Sequence, residues 1–421
     1  MASSLSWLDH DASQQRTMER VLDALAERTA IDELGLGILR DQVSAVLHPG
    51  MSVLHTRARY LLFVPWAFQQ GSGKTAEFLT ASVRRNELQT MKALVTRYGQ
   101  ADVEGNGIIG RRTAEDPSRL PSGMYWSLLK RLGVLDYEHS IDSYFHAMAQ
   151  GRRASVVKHL LHSEDDEPLG TFDPWRDVPA VPPGWPKEVD LDLLPDEAAY
   201  LRERILAADL ARSGGDPGRK SIFAYLVDRD EWFADVDSVW NYPTAADFPA
   251  ATARVMELGQ MLDQLVHGAR ILYNLLCSRG ASDVDRAETY VWELSLWRKQ
   301  AAKTDLLEGW PSREFWTWVA SVYPSSVEST RTFVEGWRSL VVSEGDLSQS
   351  SAAAAFLKRR EIGLKGPLAR LGNPDRLKDW SGAAGIGNFD YNWRVTRRIL
   401  GDIHRGLGTQ IIPMQSTGGA S

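Results

Sequence analysis

The chain has 421 residues, of which 43% are hydrophobic and 24% are charged, and its formal net charge is −7. These values are typical of a globular protein and exclude a surface coated in positive charge. The chain is too long for one compact core, so we expect two or three domains. The single cysteine, Cys277, excludes an internal disulfide framework, and its apolar neighbours predict a buried structural thiol.

The ends and apolar stretches of the chain bear on its location. The first residues lack a basic stretch followed by an apolar one, so no secretory signal is expected. No apolar run approaches the roughly 20 residues that a membrane-spanning helix needs. The sequence therefore predicts a cytoplasmic protein without membrane contact.

Apolar residues recur at spacings of three and four along most of the chain, which predicts a mainly α, multi-helical fold. The predicted helices cover residues 13–28, 37–47, 52–68, 74–98, 122–132, 196–211, 248–279, 285–303, 312–322, 327–342, 348–371 and 391–407. Pro65 is expected to bend or end the third of these helices, because proline lacks the backbone N–H.

A proline-rich, acidic stretch divides the helical pattern. Residues 163–195 contain seven prolines and few periodic apolar positions, which is typical of an arm or linker. We therefore predict an N-terminal helical domain over 1–162 and a C-terminal helical domain over 196–421. Trp175 and Trp185 indicate that the arm packs against something.

Residues 120–137 have the pattern of a helix that turns into a short strand. Such a pattern occurs in winged-helix domains, and a small winged-helix-like element is an interpretation of residues 105–140. An ordinary amphipathic helix in a bundle explains the pattern as well. The basic residues around it are Arg111, Arg112, Arg119, Lys130 and Arg131.

Charge is distributed unevenly along the chain. Acids dominate residues 163–248, whereas bases dominate residues 356–406. A basic end of this kind can contact phosphates. The alternative is that its charges lie on solvated helix faces and pair with the acidic middle of the same chain. The bases of this region are Lys358, Arg359, Arg360, Lys365, Arg370, Arg376, Lys378, Arg394, Arg397, Arg398 and Arg405.

Two arginines, Arg57 and Arg59, lead directly into the apolar and aromatic stretch 60–66. Buried arginines without partners would be costly, so we expect these two to be structural or interfacial rather than catalytic. One of them is expected to pair with Asp32 or Glu33, and the other to remain at the surface.

The chain contains no complete catalytic motif. Residues 71–75 resemble the end of a phosphate-binding loop, but Phe68 occupies the position that requires glycine, so a turn that caps the next helix is favoured. His159, His162 and Asp165 have the residue types of a metal site, although their spacing fixes no complete ligand set. We therefore predict no cofactor, and leave open whether the chain is an enzyme.

Several short motifs together resemble one uncharacterised bacterial family, family 6361 of the domains of unknown function. The resemblance covers nearly the whole length of the chain. The motifs are Ser6-Trp7-Leu8-Asp9, Asp32-Glu33-Leu34-Gly35, Thr56-Arg57-Ala58-Arg59-Tyr60, Phe63-Val64-Pro65-Trp66, Leu120-Pro121-Ser122, Tyr125-Trp126, Gly268-Ala269, Leu272-Tyr273-Asn274, the stretch 365–371 and Asp390-Tyr391-Asn392-Trp393-Arg394. The resemblance implies a component of a bacterial mobile or anti-phage gene cluster, and it assigns no catalytic residue.

These observations predict a non-enzymatic accessory or adaptor protein that contacts nucleic acid or protein partners encoded nearby. The alternatives are a metal-dependent nuclease with a degenerate site around His159, and a purely protein-binding scaffold. The residues predicted to contact nucleic acid or a partner are Arg57, Arg59, Arg111, Arg112, Lys130, Arg131, Arg394, Arg397 and Arg398.

Overall fold

A computed structural model describes residues 32–99, 107–111, 117, 119–161, 173–323, 325 and 327–413, and of 152–161 the backbone only. The fold is mainly α-helical and multi-helical, as predicted. The helices are α1 (Gly37–Leu47), α2 (Tyr60–Gln69), α3 (Ala76–Tyr98), α4 (Pro121–Arg131), α5 (Ile141–Leu161), α6 (Pro195–Ser213), α7 (Ile222–Val227), α8 (Ala250–Gly280), α9 (Val284–Lys303), α10 (Ser312–Val322), α11 (Glu328–Ser343), α12 (Ser351–Lys365), α13 (Pro374–Leu377) and α14 (Trp393–Leu407). Two short strands, β1 (Glu231–Ala234) and β2 (Gln410–Pro413), pair in parallel.

Most predicted helices lie within a few residues of their observed bounds, and the predicted helix over 13–28 lies outside the described residues. The main differences are α5, which no predicted helix matches, and α2, which begins eight residues later than predicted. Helix α2 continues through Pro65 to Gln69, so this proline does not end it. Every residue from Tyr60 to Phe68 is buried, and this burial outweighs the roughly 3 kcal/mol that an internal proline costs.

The chain divides into two compact units, each built from separate stretches of sequence. Unit 1 comprises residues 1–43 and 254–389, and unit 2 comprises residues 44–253 and 390–421. Two of the three boundaries therefore fall within α1 and α8, and the third falls just before α14. The domains predicted from sequence, over residues 1–162 and 196–421, divide the chain differently. That these two stretches fold independently stays a prediction.

Unit 1 is a helical assembly with α8 at its core. Leu262, Leu265 and Leu272 of α8 are buried with Trp337 of α11 and other apolar residues of α9, α10 and α12. Gly268 permits the close approach of Trp297, because a Cβ atom at that position would lie 2.5 Å from the indole ring. Cys277 is fully buried in this core, as its neighbours predicted.

Unit 2 is built around α2 and α14. An aromatic group surrounds Phe68 of α2, and it includes Trp175, whose ring nitrogen donates to Tyr144 Oη at 3.0 Å. Trp66 of α2 likewise donates to the Pro179 carbonyl and lies 6.2 Å from the ring of Trp185. The described part of the proline-rich stretch therefore packs on the α2 core, as the two tryptophans indicated.

The region predicted to resemble a winged helix contains α4 but no wing among its described residues. After α4 the chain reaches Leu135, which forms an isolated antiparallel bridge with Trp175. Within 107–111 and 119–140, no second strand pairs with this segment to make a hairpin. The ordinary amphipathic helix is thus the better description of residues 121–131. The helix is preceded by Leu120 and begins at Pro121, which needs no N–H at that position.

Candidate functional site

Helix α14 places several arginines along one side while its other side is buried. Ile399, Leu400 and Ile403 are fully buried, whereas Arg394 is exposed and Arg397 and Arg398 are half-buried. Like charges three or four residues apart on a helix repel one another, and cations near its N-terminus oppose the helix dipole. This arrangement therefore costs stability and concentrates positive potential on one side of the first two turns.

The segment before α2 adds a fourth arginine, and Tyr125 of α4 holds its backbone in place. The amides of Thr56 and Arg57 lie 2.7 Å and 3.2 Å from Tyr125 Oη, and Tyr125 Oη lies 3.0 Å from the Arg57 carbonyl. Burial raises the pKa of Tyr125 to about 12, so the hydroxyl keeps its proton. Gly107 lies so close to this segment that a Cβ atom there would be 3.0 Å from Arg57 Cγ. Arg57 is thus fixed in position before any ligand arrives.

Asp402, eight residues after Arg394 on the same helix, anchors Arg57. Its carboxylate is fully buried, and it accepts from Arg57 Nε at 2.8 Å and from the Ala58 amide at 3.0 Å. Its other oxygen accepts from Arg405. Burial opposes the charge of Arg57, but the hydrogen bond and the charge of Asp402 raise the pKa of that guanidinium. Both oxygens of Asp402 are therefore occupied.

Arg398 lies one turn before Asp402 and has no such partner. Among the described residues, none lies within hydrogen-bond or ion-pair distance of its guanidinium. Burial lowers the pKa of Arg398, and the positive charges of Arg57 and Arg394 lower it further. Arg394 also has no ion pair within the part of the chain that the structure describes. We call Arg57, Arg394, Arg397 and Arg398 the arginine cluster.

Two exposed carboxylates lie at the margin of the arginine cluster. Asp192 Oδ1 is 3.6 Å from an Arg57 nitrogen, and its side chain is 77% exposed. Asp237 is 3.7 Å from Arg397, which also donates to the Val236 carbonyl at 2.9 Å, and it is 98% exposed. Ion pairs of this exposure contribute little and are screened by salt. A ligand with stronger negative charge can compete with them.

Arg59, although adjacent in sequence, does not join the arginine cluster. It is buried, and it donates to Glu197 Oε1 at 2.8 Å and to the Asp190 carbonyl at 3.2 Å. Both Arg57 and Arg59 are therefore held by acids of unit 2. The predicted partners, Asp32 and Glu33, were wrong: Asp32 accepts from the amides of Leu36 and Gly37, and Glu33 pairs with Lys365 and Arg370.

The other predicted contact residues lie elsewhere. Lys130 donates to the Glu138 carbonyl at 2.9 Å, and the exposed Arg131 occupies the last turn of α4. Arg111 is half-buried. Arg112, His162 and Asp165 lie outside the described residues, as does the side chain of His159.

The residues of the basic C-terminal region belong to both units. In unit 1, Lys365 and Arg370 are buried with Glu33 and Glu361, and Tyr273 Oη lies 3.0 Å from a Glu33 oxygen and 2.8 Å from a Glu361 oxygen. Two bases balance two acids in this network, so it leaves no charge for a ligand. We therefore interpret it as structural, whereas the arginine cluster of unit 2 retains excess positive charge.

The two residues that organise the arginine cluster were not found from sequence. The sequence did not single out Asp402, although its spacing of four from Arg398 places the two on one side of a helix. Tyr125 appeared only within a motif. Tyr125 is 68 positions from Arg57 in the sequence, and Asp402 is 345 positions from it. No local sequence pattern predicts contacts between residues so far apart.

The described residues show no group of three or more His, Cys, Asp or Glu side chains that could hold a metal ion. No helix in the described ranges is long and apolar enough to cross a membrane. The chain belongs to the family of unknown function DUF6361, whose model matches residues 2–406. No curated protein and no solved structure matched the chain.

Proposed function

We propose that this DUF6361 protein is a non-enzymatic accessory or adaptor protein that contacts the phosphates of nucleic acid through the arginine cluster. The observation that carries the proposal is the half-buried Arg398, which lies among other arginines and lacks an acidic partner of its own among the described residues. Arginine presents a planar set of donors that matches phosphate oxygens, and it stays charged at any physiological pH.

The net charge of −7 makes the location of the positive charge decisive. A protein of this charge is repelled by nucleic acid over most of its surface, so binding depends on a local positive patch. Contacts to phosphates release counterions, and the affinity then falls steeply with salt. The proposal thus predicts weak overall binding that depends on a few named arginines.

The biological setting of this activity comes from the resemblance to the family alone. We propose that the protein acts in the bacterial cytoplasm, in an anti-phage gene cluster, beside protein partners encoded nearby. In such a cluster, a neighbouring helicase, methylase or nuclease would supply the chemistry. The arginine cluster would hold the nucleic acid for that partner.

The test is to measure binding and cleavage of labelled single-stranded and duplex DNA together, with and without Mg²⁺, over a range of salt concentrations. We expect binding without cleavage, with a linear fall of log affinity against log salt. Arg394→Ala should reduce the slope by about 0.7–0.9, the share of one phosphate contact.

Arg359→Ala is the matched control. Arg359 belongs to the same basic region, is exposed, and has no ion pair among the described residues, but it lies in unit 1. Its removal deletes the same charge and should leave the slope unchanged. Equal effects of the two variants, or no binding at low salt, would contradict the proposal. Metal-dependent cleavage that is lost in His159→Ala would favour the nuclease instead.

A further inference from the structure

We infer that Arg394 and Arg398, beside the anchored Arg57, form a subsite for one dianionic phosphate group, the terminal phosphate monoester of a nucleic-acid strand. This inference rests on the proposed function and names the part of the nucleic acid that the arginine cluster selects. It depends on three features of the cluster: its geometry, its charge and its partial burial.

The geometry places Arg394 and Arg398 on one helix and Arg57 near them. Arg394, Arg398 and Asp402 follow one another at intervals of four residues, so they lie on the same side of α14, with Cβ atoms about 5–6 Å apart. Arg57 reaches this line from the segment before α2 and binds Asp402 at 2.8 Å. The positive charges of Arg57 and Arg394 both act on Arg398, so an anion that contacts Arg398 is attracted by all three.

The charge of the cluster matches a dianion. Arg57, Arg397 and Arg405 each lie near a carboxylate, whereas Arg394 and Arg398 have no ion pair among the described residues, which leaves two positive charges. A phosphate monoester carries about −1.5 to −2 at pH 7, whereas a phosphodiester or a carboxylate carries one negative charge. Only the monoester neutralises the excess with a single group.

Partial burial favours the end of a strand over its middle. Arg394 is exposed and can contact any phosphodiester of a strand, whereas Arg398 is half-buried. An internal phosphate carries nucleotides on both sides, which restricts its approach to a recessed group. A terminal phosphate has three oxygens without substituents and can enter further.

The subsite is also largely preformed. Tyr125 and Asp402 fix Arg57, and the α14 backbone fixes the Cα atoms of Arg394 and Arg398. Binding then requires only that the two unpaired side chains be ordered, which limits the entropy lost on association. Burial of an unpaired charge is costly, so a bound phosphate would relieve a cost already present in the folded protein.

The test compares single-stranded oligonucleotides of one sequence with a 5′-phosphate or a 5′-hydroxyl, by fluorescence anisotropy with the full-length protein. We expect the phosphorylated strand to bind at least about tenfold more tightly, since charge-assisted hydrogen bonds are the strongest in proteins. Arg398→Gln and Arg394→Gln should each reduce this preference, whereas Arg359→Gln should keep it. The thermal stability of each variant controls for folding.

The pH dependence provides a readout that needs no variant. The monoester loses its second charge below its pKa of about 6, so the preference should shrink between pH 7.5 and pH 5.5. Equal affinity of both oligonucleotides at pH 7.5 would overturn the inference while leaving the proposed function intact. Failure of both to bind at low salt would overturn the two together. A further outcome is that inorganic phosphate displaces the phosphorylated strand at concentrations similar to those of the strand itself. That result would show that the ligand is free phosphate, and would contradict the assignment to strand ends.

Discussion

Replacing Asp402 with asparagine should destabilise unit 2 strongly, because this residue holds the arginine cluster together. The carboxylate is fully buried, and its two oxygens accept from Arg57, Ala58 and Arg405. Asparagine has nearly the same shape, but one oxygen becomes an NH₂ group that faces donors instead of accepting from them. The variant also leaves Arg57 and Arg398 without their nearest negative charge.

The expected loss is about 3–5 kcal/mol, the range found when one partner of a buried ion pair is removed. For a unit of this size, that loss corresponds to a fall in Tm of roughly 6–20 °C. Thermal unfolding at low salt, followed by circular dichroism, measures it. Asp228→Asn is the control, since its carboxylate accepts from Arg202 and Lys220 but is 37% exposed, and pairs of this kind contribute about 1 kcal/mol or less.

Added anions should distinguish the proposed role from simple packing. If the arginine cluster binds phosphate, then millimolar phosphate should restore part of the Tm of Asp402→Asn, because an anion that binds only the folded state stabilises it. The Asp228→Asn control should show no such gain beyond that of the wild type. A Tm of Asp402→Asn within about 2 °C of the wild type would refute the reasoning, since the buried pair would then contribute almost nothing.

Three further predictions follow from the exposed carboxylate at the cluster and from buried titratable groups. Asp192→Asn should strengthen DNA binding severalfold at low salt, as measured by anisotropy, because it removes an exposed charge 3.6 Å from Arg57; weaker binding would contradict this. Burial lowers the pKa of His48 to about 3, so the unfolded chain takes up this proton first as the pH falls below 6.5. Stability should thus fall between pH 7 and pH 5, by about 2 kcal/mol for this residue, and His48→Leu should show a smaller fall in urea unfolding. Burial raises the pKa of Glu87 to about 7. The pH dependence of stability is therefore opposite to that of His48: the contribution of Glu87 to stability rises as the pH falls from 7 towards 4.5. Glu87→Gln should therefore be more stable than the wild type by about 3 kcal/mol at pH 8 and by only about 1 kcal/mol at pH 5; a gain of equal size at both would count against the assignment.

Helix positions were predictable because they depend on local spacing. The predicted bounds of α1 and α10 agree with the structure, and Thr75 caps α3 through its hydroxyl, as the turn at residues 71–75 indicated. The start of α2 was not predictable in the same way. Its apolar run gives no periodic signal at the N-terminus, and the backbone of residues 56 and 57 is held by Tyr125, a residue of another helix.

The candidate site was predictable only in part. The sequence indicated Arg57, Arg394, Arg397 and Arg398 as contact residues, and the structure brings these four together in unit 2. The sequence also grouped Arg359 with the C-terminal arginines, although that residue belongs to the other unit. Composition averages over a stretch of chain, whereas the division into units depends on contacts between distant segments.

The most direct test of the central claim is to find which arginines nucleic acid covers. Phenylglyoxal modifies exposed arginines, and mass spectrometry of the digested protein measures the rate at each site with and without single-stranded DNA at low salt. Arg394 and Arg359 are both exposed and without ion pairs among the described residues, so both should react in the absence of DNA. We predict that DNA slows modification of Arg394 severalfold, leaves Arg359 unchanged, and loses its effect at high salt. Protection of Arg359 alone, or of neither residue under conditions in which DNA is bound, would contradict the account.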